Sequence, residues 1–202
     1  MSAFTRQGFS PKNLGVWAIL GRMPRPSPST RCVCAAVLAL VLADYTYRLV
    51  GNSVLPGGPL DEVAHLMTTL IVVWALGRRI SDRLLVPALV ASVAIDADHV
   101  PGALGYDFLT RGTPRPYTHS LLSIAVVLLA ARLWRARRDM LLGVALGLAI
   151  HFWRDMSESD AGVSLAWPVS DHSFMLSHAG YLAAMALFAV LAALSSRSPA
   201  QR

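Results

Sequence analysis

The chain has 202 residues, enough for one domain with a sizeable core. Apolar residues make up 54% and charged residues only 15%, against a usual charged share of about 25%, and the mean hydropathy is +0.50. This excludes a disordered chain, and the net charge of +6, almost all arginine and gathered between apolar runs, speaks for membrane loops against anionic lipid rather than for a nucleic-acid partner.

Residues 1–31 are polar, basic and punctuated by Pro24, Pro26 and Pro28, so they read as a disordered cytoplasmic tail. Residues 32–195 read as a helical membrane domain, and 196–202 as a short polar tail. The first apolar run, 32–50, opens on Cys32 and Cys34, which read as core filler because no ligand partner lies near them. A Gly/Pro turn over 51–60 follows. The second run, 63–77, ends at Arg78-Arg79, and the third covers 84–96. A loop rich in Gly and Pro separates it from the fourth, 118–133, which ends in Arg132, Arg135, Arg137 and Arg138. The fifth run is 140–153 and the sixth 174–194.

Several runs are shorter than the roughly 20 residues of a spanning helix, so a soluble bundle of six helices is the competing reading. Charge placement decides against it. With both termini in the cytoplasm and six crossings, every basic residue falls inside except Arg48, Arg111, Arg115 and Arg154. The expected fold is therefore an all-α integral membrane bundle of about six transmembrane helices. It is expected in a cell membrane, with the bilayer as its partner.

The same threading sends all six histidines to the outer side, with most of the acids. His151 and Asp155 are four apart, so imidazole and carboxylate share a helix face, one turn apart. Asp96 and His99 are three apart and share a face as well. Pro101 disfavours helix at Val100, so the third helix is expected to end there, with a loosened turn that lets Asp98 reach the same site. His65 opens the second run and His119 the fourth. Ionisable groups at apolar helix ends are costly unless paired or bound to a metal. His65, Asp96, Asp98, His99, His119, His151 and Asp155 therefore form the expected ligand set. Mixed nitrogen and oxygen donors suit zinc first, then manganese or iron, as one or two ions. The bland readings are local hydrogen bonding for His65, His172 or His178, helix capping for Asp61 and Glu62, and an interhelical polar contact for Asp44.

Three blocks carry a family resemblance. Asp96-Ala97-Asp98-His99-Val100-Pro101 resembles the Asp-x-Asp-His block of the YdjM-like membrane-bound metal-dependent hydrolases. Tyr117-Thr118-His119-Ser120-Leu121-Leu122 is similar to that family's Phe-Thr-His-Ser-Leu-Leu block. His151-Phe152-Trp153-Arg154-Asp155, followed by Gly162-Val163 and Leu165-Ala166-Trp167-Pro168, is similar to its third block. The pattern departs at Pro114, where the family tends to carry a second histidine. The resemblance implies an inner-membrane protein with metal-dependent hydrolase chemistry.

On that reading the metal supplies an activated water. Asp98 is the candidate bridging ligand or general base. Arg115 and Arg154 are outer guanidinium groups that could hold a phosphate or carboxylate. A site at headgroup level suggests a lipid phosphoester or a similar small amphipathic substrate. The alternative is a metal-binding or transport protein without hydrolysis.

Overall fold

The structure, a computed structural model, describes residues 28–51, 55–77, 80–158 and 160–195. Of the tail expected over 1–31, residues 1–27 lie outside the described residues, as does the polar end over 196–202, and helix already begins at Thr30. Among those residues the chain is helical, with one isolated antiparallel bridge between Val163 and Phe174.

Helix α1 is Thr30–Val50. Ser29 caps it, its hydroxyl accepting from the Cys32 amide at 3.3 Å. Helix α2 is Gly57–Ala75 and α3 is Asp82–Ala94. A 3₁₀ stretch, Ile95–His99, and one α turn, Val100–Ala103, prolong α3. Helix α4 is Leu121–Leu133; a 3₁₀ turn, Arg135–Arg137, leads into α5, Arg138–Glu158. Helix α6 is His178–Ser195. Helix α5 lies among α2, α3, α4 and α6, and its broadest contact is with α3; α2 packs on α1, α3 and α6.

Three of these elements are long and apolar enough to cross a membrane: Thr30–Val50, Asp82–Ala103 and His178–Ser195. Helix α4 is apolar but has 13 residues, about 20 Å at the α-helical rise. The bundle turns apolar side chains outward. On α1, Leu38, Leu42, Tyr45 and Leu49 are exposed, and on α4 so are Leu121, Val126, Leu129 and Leu133. Continuous apolar surface of this extent suits lipid rather than water.

The interior is unusually polar. Arg154 on α5 is 1% exposed. Its Nη2 donates to Asp44 of α1 at 2.9 Å and to Asp61 of α2 at 3.0 Å, and Nη1 lies 3.9 Å from Glu158. One guanidinium thus ties three helices together. Arg154→Leu is expected to destabilise the fold by about 3–5 kcal/mol, because two carboxylates lose their cation. Thermal unfolding in detergent reads this, and adding Asp44→Asn should recover part of the loss.

Five sequence expectations are corrected. Helix α2 starts at Gly57, inside the stretch read as a turn, because Pro59 falls in the first helical turn where its missing N–H costs nothing. Asp61 and Glu62 therefore lie within the helix; the N-cap is Pro56, without a side-chain cap. The third helix does not stop at Val100: Pro101 is tolerated because it falls in the first turn of Val100–Ala103. Helix α6 starts at His178 rather than Phe174, whose backbone is committed to Val163 in both directions, at 2.9 and 3.0 Å. Cys32 and Cys34 are exposed, not core.

Candidate metal centre

The α3–α5 contact builds the site. Gly143 and Gly147 lie four apart on α5, facing Leu84 and Ala88 on α3. A Cβ on Gly143 would sit 2.2 Å from the Leu84 carbonyl oxygen, and one on Gly147 would sit 2.2 Å from that of Ala88. Only glycine permits this approach, as in small-xxx-small packing of membrane helices. The ladder continues in the same step along both parallel helices. His151 is next on α5 and Ser92 on α3, and His151 Nδ1 donates to the Ser92 carbonyl at 2.9 Å. One further turn on lie Asp155 and Asp96.

A carbonyl oxygen can only accept, so that bond places the proton of His151 on Nδ1. It leaves the Nε2 lone pair free, the arrangement found for metal-binding histidines. His151 Nε2 lies 3.1 Å from Asp155 Oδ2, 3.4 Å from Asp96 Oδ1 and 3.1 Å from His119 Nε2. His119 Nε2 in turn lies 3.3 Å from Asp96 Oδ1 and 3.5 Å from Asp155 Oδ2. A tetrahedral zinc site with bonds of about 2.0–2.1 Å has ligand–ligand edges of about 3.3–3.4 Å. These five separations bracket that value.

The remaining expected ligands surround those atoms, and His65 forms a further group of possible ligand atoms with Asp96 and His151. His65 stacks on His151 with ring centroids 3.8 Å apart, and its Nε2 lies 3.2 Å from Asp155 Oδ1 and 3.7 Å from Asp61. Asp98 Oδ2 lies 3.3 Å from His119 Nδ1 and accepts from the Thr118 hydroxyl. His99 Nε2 lies 3.5 Å from Asp96 Oδ1; the 3₁₀ winding eclipses residues three apart. Asp96, Asp98, His99 and His119 also form a group of ligand atoms close enough to hold an ion.

His119 stands on the loop ahead of α4. Its amide bonds the Pro116 carbonyl at 2.9 Å, and the Leu121 amide bonds Leu165 at 2.9 Å. Tyr117 stacks on Trp167, centroids 4.3 Å apart, so the second and third sequence blocks brace each other. Gly162 has φ 69° and meets the Phe174 carbonyl closely, which no side chain would allow.

Seven expected ligands thus gather in one place. Of the two arginines, Arg115 joins them: its Nη1 lies 3.1 Å from Asp155 Oδ2. Arg154 is held apart by Asp44 and Asp61, and its side chain reaches the cluster through the Asp61–His65 contact. Sequence reasoning passed over the Ser92 carbonyl and the two packing glycines. Their signal was a spacing of four that runs from Gly143 through Gly147 and His151 to Asp155.

The fit to a cation shows in the polar atoms as well. His65 Nε2, Asp98 Oδ1 and His99 Nε2 are buried and make no hydrogen bond. Such groups call for a partner, and the buried cluster can hold a metal ion. No curated protein and no solved structure matches the chain. The family model described as YdjM inner membrane protein matches residues 60–202, more than half of the sequence. That span takes in all three sequence blocks and every residue of the cluster, and the apolar exterior agrees with its location: the chain belongs to the YdjM inner membrane protein family.

Proposed function

We propose that the protein is a membrane-embedded metal-dependent hydrolase. The observation that carries this reading is that Asp96 Oδ1 and Asp155 Oδ2 each lie 3.1–3.5 Å from both His119 Nε2 and His151 Nε2, close to the ligand–ligand edges of a zinc site. Zinc is the first choice for two nitrogens and two oxygens. When bound, such an ion supplies Lewis acidity and a water whose pKa falls toward about 7.

The chain's own residues account for the rest. Arg115 brings a guanidinium to the cluster's edge, its Nε buried and without a hydrogen-bond partner, so it can orient a phosphate or carboxylate. Asp98 orients His119 through Nδ1, and its Oδ1, 3.9 Å from His99 Nε2, makes no hydrogen bond and is available to accept a proton. His99, 41% exposed, marks the open side of an otherwise buried cluster. Arg154 is a positioning residue, acting on His65 through Asp61. An ester at headgroup level, a phosphoester foremost, suits this placement.

A second reading is metal binding without turnover, favoured by the depth of the site: His65, His119, His151 and Asp155 are each at most 2% exposed. One experiment separates the two. Purified protein loaded with zinc or manganese should hydrolyse a phosphodiester probe, lose activity on chelation, and lose at least about 100-fold in His119→Ala, the scale of a lost metal-activated water. Stoichiometric metal with no turnover of any ester would leave the second reading.

A further inference from the structure

The opposite end of α4 and α5 carries a groove of about 530 Å³. Its polar lining is Arg132 at the end of α4, Arg135 on the 3₁₀ turn and Arg138 at the start of α5. Its apolar wall is Leu128, Ala131 and Leu142. No ion-pair partner engages these arginines among the described residues, although Asp139 adjoins them in sequence. Trp134, between the two helices, is exposed, as interfacial tryptophans are. From Arg138 to His151 is about 20 Å along α5, so the groove is remote from the metal cluster.

We infer that this groove binds the phosphate headgroup of an anionic phospholipid, its acyl chain lying along Leu128 and Leu142. Three guanidinium groups without an ion-pair partner among the described residues match a phosphate. An apolar wall running from them down the lipid-exposed side of α4 matches a chain rather than a free ion. Basic pockets between helices at the cytoplasmic end, where the charge bias places this groove, suit such lipids.

Native mass spectrometry of the delipidated full-length protein tests this, with dioleoyl phosphatidylglycerol, dioleoyl phosphatidylcholine and inorganic phosphate as separate probes. The wild type should retain phosphatidylglycerol over phosphatidylcholine. Each arginine replaced among Arg132→Gln, Arg135→Gln and Arg138→Gln should lower retention by about fivefold, the attraction of one basic side chain to an anionic surface. Arg111→Gln, exposed at the other end, should leave retention unchanged. If the triple variant does not accumulate, Arg135→Gln alone decides, since it lies on an exposed turn. Equal retention of the two lipids, no change in the variants, or competition by inorganic phosphate as strong as by the lipid would overturn the inference.

Discussion

The His151→Ala variant is expected to purify without metal while the wild type carries about one ion or two per chain, as the cluster allows. The imidazole stands at the join of the cluster. It faces three ligand atoms through Nε2 and locks its own tautomer through Nδ1 on Ser92. Changes behind a ligand typically cost about 10–100-fold in metal affinity, and removing the ligand itself should cost more. Asp96, Asp155 and His119 would then face one another without a cation. His172→Ala is the matched control, since His172 is exposed and outside the cluster. Metal analysis by mass spectrometry reads both. Equal metal in His151→Ala and wild type would show that the ion, if any, sits elsewhere.

Gly147→Leu is expected to abolish metal binding without touching a ligand. Its Cβ would stand 2.2 Å from the Ala88 carbonyl oxygen, well inside contact distance, so α3 and α5 must part. The Ser92–His151 bond lies one turn away and would stretch first, followed by the Asp96 and Asp155 edges. Overpacking of this kind costs about 1–3 kcal/mol or more. Thermal unfolding in detergent should show it together with loss of metal. Gly143→Ala, one turn further from the cluster, should destabilise while retaining more metal. Full metal occupancy and unchanged stability in Gly147→Leu would mean that this close approach does not set the site.

The candidate site was largely legible in order and side, less so in geometry. His151 and Asp155 had to share a face because helical periodicity is local, and the arginine bias alone put Asp96, His119 and His151 at one end. The winding after α3 was only half legible. Pro101 does disturb the helix, but the chain answers by changing pitch over Ile95–His99 and starting a new turn around the proline. Phe174 read as helical because it is apolar and abuts an apolar run; a backbone bridge to Val163 claims it instead. Arg154 read as an outer anion-binding group, since its partners, Asp44 and Asp61, lie 110 and 93 residues away in the chain. Nothing local announces such pairing.

By itself, then, the order of residues determined a greasy helical membrane chain, with most of its basic residues at one end of the helices and its histidines and most of its acids at the other. Those are properties of composition and of periods of three and four, which operate within a few residues. Only the tertiary structure decided which atoms meet. Two glycines let α3 and α5 touch in parallel register, and that register brings the Ser92 carbonyl to one nitrogen of His151 and turns the other toward Asp96, Asp155 and His119. It also decided that Arg115 joins the cluster while Arg154 binds the helices together. Contacts between distant segments depend on which faces pack and how closely, and that information resides in no single stretch of the chain.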